Sequence, residues 1–588
     1  MKKVSELVSD IGFFYLANFT NDPTVTHLTH NSTEAICGSL FFALPGTNTN
    51  GKMYALNAIA KGAVAVVVEE ELDDAIPQIV VKDVRTTMSL IAKAFYNNAC
   101  DDMKIIGITG TNGKTTTSHI IFHILSANKI PCAVIGTLGV KTFPAMDITS
   151  SLTTPDPIEL HGIFAELQSN GIKKVIMECS AHAIALKKLE GIQFAQGLFT
   201  NLSLDHLDFF GDYRTYADTK INWFNDKMDL AIVNADDVEY DAVLNSWTKS
   251  NSLKNIYHPH ARPLKGSSLK GVRGEAPPPF LGPHERVGGV KLNPNKKLLS
   301  YGIDKEDANL VAFDIAFNDA GTSFSAIAKK RSFKVATTFK GRFNVYNTLA
   351  AILSCQNLGL KNAQIVKVLR SLPPVPGRFN TLQVNDFTVI IDYAHTPDSL
   401  EKIINSSREL VQEGGRLITL FGCGGNRDIE KRPIMGEFST RLSDFTIITS
   451  DNPRDESPLS IMLQIEAGAK LNDNQTTNHM GLGKHHSLAD LVLGDITMSY
   501  HSSILHKTED DTTPLYFMIE DRKDAIIHAL NMGNKGDVII IAGKGAEDYQ
   551  EIKGKKFPFS DTEVVKSHNN QSFGNEDQRE HAEDKTTE

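Results

Sequence analysis

A chain of 588 residues, 41% apolar and 22% charged, is ordinary globular composition and too long for one hydrophobic core, so about three domains are expected. A net charge of -10 and a pI near 6.0 exclude a general nucleic-acid binder and a polybasic membrane anchor, since both need clustered positive surface. The expectation is a cytoplasmic chain without disulfides: no apolar run approaches the roughly 20 residues of a bilayer span, Met1–Ala17 lacks a signal-peptide pattern, and Cys37, Cys100, Cys132, Cys179, Cys355 and Cys423 form no C-x-x-C pair.

In chain order, Ser39–Leu44 reads as a strand, Pro45-Gly46-Thr47-Asn48 as a turn, Met53–Lys61 as a helix and Ala63–Val68 as a strand, a small α/β unit. A helix ending near Ala99 leads to a strand at Lys104–Ile108, a glycine-rich turn and a helix from Lys114. Further strands follow at Ala133–Ile135, Lys174–Met177 and Ala231–Val233, implying a parallel sheet covered on both faces. Pro373-Pro374-Val375-Pro376-Gly377 marks a linker. Beyond it a third α/β series has strands at Thr388–Ile391, Arg416–Phe421, Thr446–Thr449 and Val538–Ile541. Arg262–Lys297, Asn472–Pro514 and Ser567–Glu588 read as loops or disorder. The first is a solvated basic insertion rather than an anion-binding lid, and the spacing of His479, His485, His486, His501 and His506 in the second matches no common metal-ligand pattern.

Between strand and helix, Gly107-Ile108-Thr109-Gly110-Thr111-Asn112-Gly113-Lys114-Thr115-Thr116 has the context of a phosphate loop. Backbone N–H groups freed by the glycines close around phosphate oxygens, the helix N-terminus adds partial positive charge, Lys114 adds a full one, and Thr115 can hold magnesium. A nucleoside triphosphate is the expected ligand. The glycine spacing is a variant, since the standard pattern puts glycine where this chain has Ile108. Glu178 ends its strand at the carboxyl edge of the sheet, where it is either a magnesium ligand or a solvated acid. His206 in a polar turn and Lys220 in Tyr216-Ala217-Asp218-Thr219-Lys220 read, taken alone, as a structural histidine and a surface lysine.

The loop Gly110–Thr116 resembles that of the Mur ligase family, and ordered blocks extend the resemblance over most of the chain. They are Thr153-Thr154-Pro155-Asp156, Met177–His182, Thr200–Asp208, Phe343–Asn347, Asp392–Asp398 and Gly543-Lys544-Gly545. The resemblance implies three α/β domains: an N-terminal UDP-substrate domain at 1–100, a central P-loop parallel-sheet ATPase-like domain at 101–374 with an insertion about 258–298, and a C-terminal Rossmann-like domain at 375–588 with an insertion about 471–514 and a tail at 567–588. It implies an ATP- and Mg2+-dependent, monomeric ligase of peptidoglycan precursor synthesis that forms an amide through an acyl phosphate and engages neither nucleic acid nor membrane. Gly110 to Thr116, Asn347, Arg378 and Asp392 then bind ATP. Lys114, Glu178, His206, Lys220 and His395 serve catalysis. The metal is held by Thr115, Glu178, His206 and Lys220, the last as a carbamate. By themselves Arg378 and Asp392 also fit an ordinary salt bridge or cap.

For the UDP-N-acetylmuramoyl dipeptide, the resemblance points to Ser32, Thr47, Asn48 and Thr49, although a Thr- and Asn-rich turn also arises for local reasons. It adds Thr153, Thr154, Ser180 and Lys188. Lys188 stands where arginine is common and lacks its bidentate fork, and Leu152 replaces an asparagine. The motif Asp451-Asn452-Pro453-Arg454 resembles the family's recognition motif for meso-diaminopimelate, with Arg427, Gly543 and Glu547 as further contacts. Ala546 replaces a histidine usual before that glutamate. Arg454 offers the planar fork that suits a distal carboxylate, and L-lysine would leave that charge unpaired. The alternatives are the same ligase adding L-lysine and a non-catalytic ATP-binding relative.

Overall fold

The structure, a computed structural model, describes residues 1–46, 50–72, 75–150, 152–251, 286–287, 290–291, 296–318, 320–328, 331–473 and 516–569. Three sheets organise it. The first has five strands in the order Phe14–Ala17, Gln78–Val81, Ala63–Val68, Ser39–Phe42, His27–Thr29, all parallel except the first. Its Val- and Ile-rich strands are buried on both faces, under the helix Val84–Phe95 on one side and Ala55–Ala60 on the other. The helix Val84–Phe95 stops earlier than the sequence implies, because Asn97 and Asn98 turn the backbone left-handed at φ 59° and 54°. It joins the second domain through Ser89 Oγ, which donates to the Lys187 carbonyl at 2.7 Å, and Lys93 Nζ, which donates to the Gly191 carbonyl at 3.0 Å.

The second sheet has ten strands: Gly139–Phe143, Cys132–Gly136, Lys174–Glu178, Lys104–Thr109, Gln196–Phe199, Leu230–Asn234, Lys297–Gly302, Leu310–Asn318, Gly321–Ala328 and Arg331–Thr337. Its centre is parallel as expected. Both edges add antiparallel strands that the sequence reading did not include: Gly139–Phe143 folds back on its neighbour, and Leu310–Thr337 forms a meander. Register sets the site. Glu178 lies opposite Ile108, and Phe199 opposite Thr109, so the carboxyl ends of three adjacent strands converge beside the phosphate loop. Apolar layers cover both faces, one carried by the helices Lys114–Ala127 and Arg342–Asn357, the other by Pro157–Ser169 and Tyr213–Ile221.

The third sheet has six strands, in the order Asn380–Val384, Phe387–Asp392, Val538–Ala542, Leu417–Phe421, Phe445–Thr449, Tyr516–Ile519, with only the first antiparallel. A hairpin of Tyr549–Ile552 and Lys555–Pro558 follows it. Within the stretch expected to be loop, residues 286–287 and 290–291 pair as a short ladder, and the helix Pro458–Asp473 runs into the start of the second insertion. The histidines of that insertion lie outside the described residues. All six cysteines are free.

Candidate active site

Three glycines explain the variant spacing of the phosphate loop. A Cβ on Gly107 would fall 2.7 Å from Trp223 and 2.8 Å from Phe194, so this glycine serves packing below the loop. Ile108, at the position where the standard pattern has glycine, is fully buried in the core. Gly110 opens the turn at φ 142°, and a Cβ there would meet Thr200 Oγ1 at 2.0 Å. Gly113 abuts the Asn347 amide. The loop is held from the next strand end: Thr111 N donates to the Asn201 carbonyl at 2.8 Å, Asn112 N donates to Asn201 Oδ1 at 3.0 Å, and Thr200 Oγ1 donates to the Asn112 carbonyl at 2.6 Å. Thr200 and Asn201 therefore shape the loop, a role the sequence block contains but does not announce. Lys114 Nζ arches over it to the carbonyls of Gly110 and Thr111 at 2.9 and 2.8 Å. Burial lowers its pKa, partly opposed by the charges of Glu178 and Asp205.

Glu178 is fully buried and multiply bonded. Its Oε2 accepts from Thr115 Oγ1 at 2.9 Å and Thr137 Oγ1 at 3.1 Å, and its Oε1 from Thr137 N at 3.1 Å. The solvated alternative is thus excluded. Thr137 also meets Thr153 Oγ1 at 3.2 Å, while Thr154 Oγ1 donates to the Glu178 carbonyl at 2.8 Å and accepts from Ser180 N at 3.1 Å. Thr153, Thr154 and Ser180 accordingly form one cluster against the strand end. Lys188 instead pairs with Asp156, 2.6 Å away.

Lys220 is no surface lysine. It is 2% exposed and donates to Tyr216 Oη at 2.6 Å, and that hydroxyl lies 2.9 Å from Thr111 Oγ1 in the phosphate loop. Burial, with the nearby Lys114 charge, pushes its pKa well below the usual lysine value, against the pull of Asp205 and Asp237. His206 sits at φ 58° with Nε2 3.3 Å from Asp205 Oδ2 and its ring edge-on to His182 at 4.8 Å. Burial brings its pKa down to about 3, so the imidazole is neutral with a lone pair for a ligand.

The third domain reaches the same place. Arg378 stacks on the Tyr393 ring at 4.6 Å and its Nη2 donates to Thr115 Oγ1 at 3.1 Å. Asp392 receives the backbone N–H groups of Phe379 at 2.6 Å and Ala394 at 2.7 Å, so its immediate work is to shape the turn that carries Arg378 and His395. His395 Nδ1 lies 2.8 Å from the Tyr393 carbonyl, a contact that makes Nδ1 the donor and leaves Nε2 as the acceptor of the neutral ring. Its pKa is lowered by burial and then by Lys431. Asp398, missed in the sequence reading, accepts from Asn112 Nδ2 of the phosphate loop at 2.7 Å and from Ser203 Oγ at 3.0 Å.

Asp451, Asn452 and Arg454 gather with Gly543 and Glu547 at the carboxyl edge of the third sheet. Asn452 Nδ2 donates to Glu547 Oε2 at 2.9 Å, and the buried Lys544 Nζ reaches Asn452 Oδ1 at 3.1 Å and Glu547 Oε2 at 3.0 Å. A Cβ on Gly543 would fall 2.4 Å from Asp451 Oδ2. Pro453 lends its carbonyl to Glu456 N at 3.0 Å. Arg454 Nη1 and the Arg427 side chain both approach Gly424, and Arg427 faces Asp208 of the second domain at 3.8 Å. In the first domain, Ser32 is buried and opens a short turn capped by Asn31. Thr47, Asn48 and Thr49 lie outside the described residues.

Comparison with known proteins extends over the whole assembly. Models described as Mur ligase family, catalytic domain; Mur ligase middle domain; and Mur ligase, glutamate ligase domain match residues 24–96, 108–261 with 286–355, and 377–545. A protein of Bacillus velezensis named UDP-N-acetylmuramoyl-L-alanyl-D-glutamate--2,6-diaminopimelate ligase is 32% identical over 576 residues, 96% of this chain and 98% of its own. A solved structure of a ligase of that name matches with TM-score 0.59 at 27% identity, covering 93% of this chain and 95% of that one. The MurF ligase of Thermotoga maritima in complex with ADP shares the fold, with TM-score 0.52 at 16% identity over 88% and 94% of the two chains.

Proposed function

The chain belongs to the Mur ligase family, and from that premise we propose that it joins meso-2,6-diaminopimelate to UDP-N-acetylmuramoyl-L-alanyl-D-glutamate, with ATP converted to ADP and phosphate, in peptidoglycan precursor synthesis. The observation that carries the amino-acid assignment is Arg454, which with the Arg427 side chain approaches Gly424, two guanidinium groups that suit a distal carboxylate, while Asn452 and Glu547 supply an amide and an acid at the same sheet edge. A soluble, cytoplasmic, monomeric protein fits this reading. Among the described residues no helix is long and apolar enough to cross a membrane.

Lys114 and the N–H groups at the start of its helix hold the triphosphate while Arg378 approaches from the third domain, so the γ-phosphorus meets the D-glutamate γ-carboxylate with its charge balanced. The carboxylate oxygen attacks phosphorus and ADP leaves; the diaminopimelate amine then attacks the acyl carbon of the acyl phosphate, forming the amide as inorganic phosphate leaves. His395, neutral and with Nε2 as acceptor, can take the proton that this amine sheds. Thr115 and Glu178, hard oxygen donors that share a hydrogen bond beside the loop, fit a magnesium ion, with neutral His206 at a further position. When bound, the ion would neutralise phosphate charge. Lys220, with its lowered pKa, can attack CO2 as a free amine, forming an N–C bond and releasing a proton, and so become an anionic carbamate.

The test offers the purified chain UDP-N-acetylmuramoyl-L-alanyl-D-glutamate, ATP and magnesium with either meso-diaminopimelate or L-lysine, and reads the product by mass. Arg454 already has Glu551 as an ion-pair partner at 3.0 Å, so L-lysine leaves no unpaired charge and forgoes only the contacts of the distal carboxylate; diaminopimelate is expected to be preferred in kcat/KM by about 100-fold, the scale of a lost pair of charge-assisted hydrogen bonds. Equal use of the two overturns the assignment.

A further inference from the structure

The recognition turn does not hold its own shape. Arg454 lies at φ 52°, where side-chain-bearing residues are uncommon, and the residues around it are tied to a hairpin almost a hundred positions later. Gln550 Nε2 donates to the Asp451 carbonyl at 2.7 Å, Glu551 N donates to Asn452 Oδ1 at 2.9 Å, Arg454 N donates to the Glu551 carbonyl at 3.0 Å, and Lys553 N donates to the Arg454 carbonyl at 2.7 Å. One side-chain contact completes the clamp: Arg454 Nε donates to Glu551 Oε2 at 3.0 Å, while Nη1 donates to the Gly425 carbonyl at 2.8 Å. Both groups of the ion pair are about three-quarters buried, at 23% and 27% exposure. Bonds at Nε and Nη1 fix the plane of the guanidinium, and neither uses Nη2.

We infer that Glu551 is a positioning and specificity-determining residue for the amino-acid substrate. It holds the Arg454 fork in the plane that receives a distal carboxylate, and this inference rests on the diaminopimelate reading above. A flexible arginine would lose rotamer freedom on each binding event, whereas one already anchored at two nitrogens does not. The effect therefore falls on capture of the amino acid and leaves phosphoryl transfer alone. What must be preserved is an acceptor at the right reach. Glutamine keeps an oxygen for Nε, aspartate keeps the charge but is one methylene too short, and alanine keeps neither.

Steady-state kinetics of the full chain and of E551Q, E551D and E551A, with melting temperatures as a control for folding, separate the possibilities. KM for diaminopimelate is expected to rise about tenfold or more in E551A and E551D, and to stay within about threefold of the parent in E551Q, with kcat and the KM for ATP nearly unchanged throughout. The inference is overturned if all three variants keep the parental KM, if E551Q is as impaired as E551A, or if kcat falls in place of KM. A parent chain that uses L-lysine as well as diaminopimelate refutes the substrate reading instead, and the two failures are distinguishable in one data set.

Discussion

His161 is 1% exposed on the helix Pro157–Ser169, its ring edge-on to Phe164 at 5.7 Å, and neither ring nitrogen has a hydrogen-bond partner among the described residues. Burial, aided by the Lys93 charge, brings its pKa from 6.5 down to about 3. The folded chain thus refuses a proton that the unfolded chain accepts. Stability from this group is complete above about pH 6.5 and is lost as pH falls towards about 3. His161→Phe, similar in shape and without polar atoms, is expected to flatten the fall in melting temperature between pH 6.5 and 4.5 and to raise stability at pH 7 by about 1 kcal/mol. Coincident acid limbs for parent and variant would count against this account. Nothing in the local sequence marks His161 as buried and unpaired, just as nothing near Lys220 marks it as interior; both facts come from the elements packed over them.

Among the elements, the strand–loop–helix from Lys104 to Ala127 depends on Gly110. An alanine there adds a methyl carbon 2.0 Å from Thr200 Oγ1 and 2.9 Å from the Asn201 carbonyl, at a φ of 142°. Gly110→Ala is expected to cost about 1–3 kcal/mol of stability and at least about tenfold in ATP-dependent turnover, read by melting and by phosphate release. Gly171→Ala is the control: it also has positive φ, but nothing lies within 4 Å. If the two variants behave alike, steric exclusion is not the reason for Gly110. The loop itself was legible because glycines, lysine and paired threonines stand at local spacing. The strand Gln196–Phe199 beside it was not, since Gln196 and Gly197 hide a four-residue strand whose identity comes from its neighbours. The antiparallel meander Leu310–Thr337 was missed for a similar reason, its alternation being interrupted by a register shift between Phe313 and Ala316.

At the scale of the molecule, the second and third domains meet over the phosphate loop. Asp398 binds Asn112 and Ser203, Arg378 binds Thr115, and Arg427 faces Asp208. The phosphate loop and the turn that carries Arg427 are thereby brought to one interface between the domains, where the proposed chemistry would be shielded from water. Asp398→Ala is expected to lower kcat/KM for ATP by about tenfold while shifting the melting temperature little, because it removes contacts between domains and leaves each core intact. An unchanged kcat/KM would mean that closure is held elsewhere.

The amino-acid sequence by itself determined three α/β series and a variant phosphate loop, because each is a matter of residue types at short range, while the expectation that Arg454 meets a second carboxylate came from the resemblance of Asp451-Asn452-Pro453-Arg454 to a family motif. Only the tertiary structure decided that Lys220 is interior, that Glu178 is bonded to Thr115, that Lys188 is taken by Asp156, and that Glu551 anchors Arg454. The last three are contacts between residues about thirty to a hundred positions apart, set by strand register and packing, and no local pattern encodes them.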